Sequence, residues 1–251
     1  MLFDLPPCTF LLITDNDLSS PADFLLHRAL HQHLKSINDT NNKAIILSVS
    51  EDLARWKAIA SASRSSNGGL DLDRCIEDGS VEFITVLSHL APHLTTTFAP
   101  FRPLFDILSR SLQQGGGDGG GLVILDDLSA LEWIGYEATD VLRFVRALRA
   151  ACIKAKATLV VRYHRISSDL EPEDDTFAAL YQLCAYHVEV RGLASGRSGS
   201  VSGEIALHPG PAALPLSSRE AGVRVRERSS AIQYKLTDAG AVFFEKGMRG
   251  L

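Results

Sequence analysis

The sequence predicts an α/β fold: a mostly parallel, twisted sheet with helices on both faces and an antiparallel C-terminal edge. Three observations predict it. Short apolar runs alternate with amphipathic segments over the first 185 residues, the pattern of repeated βαβ units. One of those runs, Leu122-Val-Ile-Leu-Asp-Asp127, drives four apolar residues straight into a carboxylate pair. Beyond residue 185 the runs become short and are punctuated by Gly, Pro and Ser, as antiparallel hairpins require.

Each element has a local reason. Residues 9–14 are continuously apolar apart from their flanking threonines and form a first buried strand. A helix starts at Ser20-Pro-Ala-Asp23 and runs to about Ser36, with Ser20 as N-cap, Pro21 in the first turn and Asp23 facing the helix dipole. Residues 43–48 give a second strand and residues 51–63 a second helix. Residues 64–79 are polar and glycine-rich and read mostly as loop. Residues 81–86 form a third strand, 101–112 a helix, and the glycine run at 115–121 a flexible connection into the Asp126/Asp127 strand. Residues 137–156 carry the strongest helical pattern, with Val141, Val145, Leu148 and Cys152 on one face. A strand at 158–163, a helix at 176–185 and short strands at 187–193, 204–208, 223–228 and 232–237 complete the reading.

A chain of 251 residues with 45% hydrophobic content is long enough to bury a large core, and we expect one domain over residues 1–251. No secretory leader or membrane-spanning stretch is visible, and Cys8, Cys75, Cys152 and Cys184 show no C-x-x-C pairing. Reduced thiols in an intracellular protein are expected. The net charge of −5 argues against a lone nucleic-acid-binding module. That charge is unevenly spread, however. Residues 1–185 hold 16 Lys and Arg against 24 Asp and Glu, whereas residues 186–251 hold 9 against 6. The C-terminal quarter is therefore the more suitable anion-facing surface.

The apolar run into Asp126 and Asp127 looks like a Walker B strand, whose carboxylate helps hold Mg²⁺ in nucleotide hydrolases. Such a strand works with a G-x-x-x-x-G-K-[ST] loop, and none occurs in the chain. Residues 14–22 occupy the place after the first strand without a Gly or a Lys, and Asp15 and Asp17 would repel a triphosphate. The glycines at 115–121 precede a strand, so they lack a helix N-terminus to aim at an anion. Asp126 and Asp127 are then expected to cap the following turn and pair with a neighbouring Arg. His27 with His31, and His89 with His93, have metal-compatible spacing but no completing ligand pattern. No catalytic residue, cofactor or metal is expected.

Binding surfaces offer more. Residues 129–136 and 164–175 would lie outside the C-terminal strand ends, where doubly wound sheets bind ligands. The first segment displays Leu131, Trp133 and Ile134, and the second has Arg162, His164 and Arg165 at its base beneath an acidic tip. Arg191 and Arg197 sit in a Ser- and Gly-rich loop. Arg143, Arg146 and Arg149 form a ladder beside the apolar stripe of the long helix, read as a solvated face or a subunit interface.

The run of residues 122–135, the Met-Leu-Phe-Asp-Leu-Pro start and the degenerate first loop resemble the family of sixth subunits of the Elongator complex, fungal type. The resemblance implies a RecA-like fold without working Walker motifs. It also implies a heterohexameric ring with the fourth and fifth subunits that binds tRNA and supports wobble-uridine modification by the catalytic Elongator subcomplex, in cytoplasm and nucleus. Arg162, His164, Arg165, Arg191 and Arg197 are then candidate RNA contacts, and Leu131, Trp133, Arg143, Arg146 and Arg149 candidate interface residues. The alternatives are an ATPase with a degenerate phosphate site and a recombinase-like relative acting on DNA.

Overall fold

A computed structural model describes residues 5–15, 21–35, 43–62, 69–90, 99–114, 120–165, 174–193, 199–213, 223, 225–237 and 240–246. The parallel part contains β1 (Phe10–Asp15), β2 (Ala44–Ser48), β3 (Val81–Thr85), β4 (Leu122–Leu125), β5 (Thr158–His164) and β6 (Tyr186–Arg191). Between them lie α1 (Asp23–Lys35), α2 (Leu53–Ala62), α3 (Leu72–Glu77), α4 (Arg102–Gln114), α5 (Ser129–Trp133), α6 (Ala138–Lys154) and α7 (Asp175–Leu183). The chain then adds β7 (Gly203–Pro209), β8 (Ile232–Thr237) and β9 (Gly240–Glu245).

One sheet runs through the molecule in the order β3-β2-β4-β5-β1-β6-β7-β8-β9. The strands from β3 to β6 are parallel, and β7, β8 and β9 are antiparallel. The parallel sheet with an antiparallel edge is the predicted fold. β1 sits between β5 and β6, so a strand from the start of the chain is paired with residues about 150 positions later.

Side-chain alternation divides the core in two. On the first face, Phe10, Leu12, Val123, Leu125, Leu159 and Val161 meet α4, α6 and α7 through Leu104, Leu108, Val145, Leu148 and Leu180. On the second, Leu11, Ile13, Ile46, Ile124 and Val160 meet α1, α2 and α3 through Leu26, Leu30, Trp56 and Leu72. Burial on both faces explains why the parallel strands are continuously apolar. Each fully buried Leu or Ile contributes about 1.5–3 kcal/mol relative to exposure.

The antiparallel part is built differently. Val188, Val190, Ile205, Leu207 and Tyr234 extend the second-face core. Among the described residues, no side chain beyond Cys184 joins the core of the first face. Strands β6 to β8 are therefore apolar below and mostly polar above, while β9 brings Val242 and Phe244 to the upper face. Gly203 is required where β7 passes β8, because a Cβ there would lie 2.5 Å from the Arg191 carbonyl oxygen and 2.9 Å from the Tyr234 ring.

Four elements differ from the sequence expectations. Residues 64–79 include α3, whose N-terminus is capped by the Asp71 carboxylate accepting from the Arg74 N–H. Residues 129–136 include α5 rather than open loop. Within residues 223–228 the described backbone makes an isolated bridge, Arg226 to Leu207, instead of a strand. β9 was not anticipated. The four cysteines are free, with Cys152 and Cys184 buried and Cys8 exposed. Among the described residues no helix is long and apolar enough to cross a membrane.

Candidate functional site

Parallel strands bring their C-terminal ends to one edge of a sheet, and this edge collects Asp15 from β1, Ser48 from β2, Asp126 and Asp127 after β4, and His164 from β5. All five are buried. In a phosphate-binding relative of such a fold, this edge and the N-terminus of the helix after β1 receive the anion.

Here the anion comes from the chain itself. Asp15 is fully buried, and its Oδ2 accepts the Ala22 N–H (2.8 Å) just ahead of α1. The same oxygen accepts from Arg162 Nε at 3.0 Å and Nη2 at 2.8 Å. His164 Nδ1 meets Asp15 Oδ1 at 2.8 Å. The register explains the convergence: β5 lies beside β1, with Arg162 level with Ile13 and His164 level with Asp15. Burial works against the charged guanidinium, but Asp15, helped by Asp127 and Asp23, holds Arg162 above its ordinary pKa. A buried carboxylate is stable only when paired and hydrogen-bonded, and Asp15 is both.

Asp126 is built on the opposite principle. Its Oδ1 accepts the Val49 N–H at 2.7 Å, and its Oδ2 makes a short contact with Ser48 Oγ. Ser48 Oγ also donates to the Glu51 carbonyl oxygen, which can only accept. Burial pushes the Asp126 carboxyl above its ordinary pKa; the neighbouring Asp127 adds to this, and the Ser48 and Val49 hydrogen bonds oppose it. A carboxyl pushed towards its neutral form is a poorer Mg²⁺ ligand.

Asp127 is a cap. Its Oδ1 accepts from Ser129 Oγ at 2.6 Å and from the Ala130 N–H at 3.2 Å, which fixes the first turn of α5. The capping role matches the sequence expectation. The expected arginine partner goes elsewhere, since Arg162 hydrogen-bonds Asp15. α5 is held further by Glu132, which accepts from Tyr163 Oη (3.1 Å) and Thr176 Oγ1 (2.7 Å).

The remaining sequence candidates separate into buried and free groups. Arg162 and His164 are locked on Asp15 inside the edge and are not presented to a ligand. His164 is also covered by Trp133, whose ring lies edge-on at 5.6 Å. Arg165 is half-buried, with its guanidinium 4.0 Å from the Phe177 ring centroid. Leu131 is 0% exposed, because the α5 turn rotates it into the first-face core; Trp133, two residues on, is 55% exposed. Ile134 is also exposed. On α6, Arg143 and Arg146 point outward, with Arg143 paired to Asp140, and Arg149 is half-buried beside Cys152 and Ile153 at the opposite, N-terminal end of the strands. Arg191 pairs with Glu204 at 3.4 Å. Arg197 lies outside the described residues.

Among the described residues no group of three potential metal ligands occurs, and His93 lies outside them. His27 instead packs against Trp56, with ring centroids 4.2 Å apart and planes tilted by 46°, and burial lowers its pKa to about 4. Sequence reasoning missed Ser48 and Ser129, whose hydroxyls hold the two aspartates; only their position next to strand ends could have flagged them.

Comparison with known proteins places the chain in a family. A family model described as Elongation complex protein 6 matches residues 4–238. The chain belongs to that family. Among curated relatives, Elongator complex protein 6 of Danio rerio is 23% identical over 261 residues, covering 96% of this chain and 91% of the relative. The Homo sapiens protein of that name is 26% identical over 254 residues, covering 92% and 89%. Among solved structures, a KaiC-like protein from Pyrococcus horikoshii OT3 superposes with a TM-score of 0.65 at 8% identity, covering 97% of this chain and 93% of the other. That likeness concerns the fold, which is RecA-like. Family membership agrees with the resemblance carried by residues 122–135.

Proposed function

We propose that this chain is a non-catalytic, RecA-like subunit of Elongator. In this reading it forms a heterohexameric ring with the fourth and fifth subunits, and the ring binds tRNA and supports wobble-uridine modification by the catalytic subcomplex, in cytoplasm and nucleus. The observation that carries the non-catalytic reading is the Asp15–Arg162 ion pair with its Ala22 hydrogen bond. A triphosphate arriving at this edge would face a fixed buried carboxylate, with the cation and the N–H donor already in use. The exposed Trp133 and Ile134 at the strand ends, and the outward arginines of α6, support the assembly reading, since aromatic and Arg side chains are enriched at interfaces.

The mechanism is presentation rather than chemistry. Rigid strands set the position of α5; α5 sets Trp133; the ring as a whole would hold an anionic backbone without reading its bases. Co-expression with the fourth and fifth subunits followed by native mass spectrometry tests assembly, with a mixed hexamer expected and a persistent monomer counting against it. Retention of tRNA by that hexamer in a gel-shift assay tests binding. ATP turnover by the purified chain, abolished by Asp126→Ala, would overturn the non-catalytic part.

A further inference from the structure

We propose that the polar first face of β6–β9 is a platform for single-stranded RNA, with Phe244 stacking a base and Arg191, Arg228, Lys235 and Lys246 facing phosphates. The inference rests on the tRNA-handling reading above and assigns that role to a place in this chain. The antiparallel register lines up Arg191, Glu204, Gln233 and Phe244 across four adjacent strands. Three strand spacings make that row about 14 Å long, room for two or three nucleotides. Lys235 lies two residues from Gln233 on the same face and is exposed, opposite the exposed Val242.

Two buried carboxylates organise the cations. Glu189 accepts two hydrogen bonds from Arg228, at 2.7 and 2.8 Å, and lies 3.4 Å from His208 Nε2. Glu204 accepts from Arg191 (3.4 Å), Gln233 (3.3 Å) and Lys246 (3.3 Å). Glu189 is 4% exposed while Arg228 is 62% exposed, so the anions lie beneath and the cations above. Four cations stand over two carboxylates, and Lys235 has no ion-pair partner among the described residues. The surface therefore carries surplus positive charge held in fixed positions, in the C-terminal quarter of a net-acidic chain, where Lys and Arg outnumber Asp and Glu by 9 to 6. An aromatic ring flanked by cations on a flat sheet fits an unstacked base and its backbone better than a closed duplex.

The test uses the full chain and a fluorescein-labelled 12-nucleotide oligouridylate, read by anisotropy over a salt series, with a 12-base-pair RNA duplex as the second arm. The single strand is expected to bind more tightly than the duplex. Phe244→Leu keeps an apolar side chain and is expected to weaken single-strand binding about tenfold. Lys235→Glu is expected to weaken it and to reduce the salt slope by about 0.7, the loss of one phosphate contact. Urea midpoints of both variants should match the parent chain. No binding of the single strand, equal binding by both variants, or equal competition by polyglutamate of the same charge would each overturn the inference. A hexamer that retains tRNA unchanged with both substitutions overturns this inference alone, whereas failure to form the hexamer overturns the reading it rests on.

Discussion

The C-terminal ends of β1 and β4 each bury an aspartate, yet the two carboxyl groups are held in opposite ways. Asp15 is hydrogen-bonded by a guanidinium, an imidazole and a backbone N–H. Asp126 faces a serine hydroxyl and the backbone N–H groups of Val49 and Ser50, and burial, with Asp127 beside it, pushes its pKa up. In a nucleotide hydrolase these two positions divide the labour between phosphate and metal. Here one is an internal counter-ion and the other accepts from Ser48 and Val49. Carboxylates at comparable strand ends can thus be given different tasks by their neighbours alone.

The largest expected effect breaks the β1 side. Arg162→Leu leaves Asp15 buried without its cation and should cost about 3–5 kcal/mol in urea unfolding. Adding Asp15→Asn to that variant should recover a large part of the loss. A single-variant cost below about 1 kcal/mol would mean that Arg162 does not hold Asp15, and the contrast would collapse.

Acid should separate the two ends next. His187 lies 2.7 Å from Thr14 Oγ1, and its imidazole, like that of His27, is lowered to about 4, mainly by burial. An unfolded histidine protonates below about 6.5 while these stay neutral to about 4, so stability falls as pH drops through that window. Each contributes roughly 3 kcal/mol to that loss, and His187→Gln should flatten the urea-midpoint profile between pH 6.5 and 4. Asp126 has the reverse sign: its raised pKa contributes stability at low pH that is lost as pH rises through the folded value.

Smaller effects sharpen the β4 side. Asp127→Ala removes the α5 cap and should cost about 1 kcal/mol by thermal or urea unfolding. Asp126→Asn keeps an acceptor for Val49 and supplies a donor for Ser48, so its effect at neutral pH should stay within about 0.5 kcal/mol. A loss of several kcal/mol there would show that Asp126 is needed as a charge.

Much of this was legible in the sequence for physical reasons. Continuous apolar runs flagged strands buried on both faces, and the glycine-free, acidic stretch after β1 argued against phosphate before any geometry was known. Strand order was not legible. Arg162 looked like a ligand contact because nothing local shows that β5 lies against β1, which turns the side chain onto Asp15. Leu131 looked exposed because α5, only five residues long, leaves too little periodicity to read. β9 has a short signal, the apolar run after Thr237-Asp-Ala-Gly240, which too few residues support to separate from a chain end.

The central place of β1 also sets a schedule. Asp15 and the His164 that meets it are 149 residues apart, so β1 has no partner strand until β5 has been synthesised. At the usual rates of translation that interval is roughly 10–30 s. During it, Phe10-Leu-Leu-Ile is an unpaired apolar strand ending in an unanswered carboxylate. The ion pair that closes the finished edge therefore also marks the moment at which the first strand stops being a liability to the nascent chain.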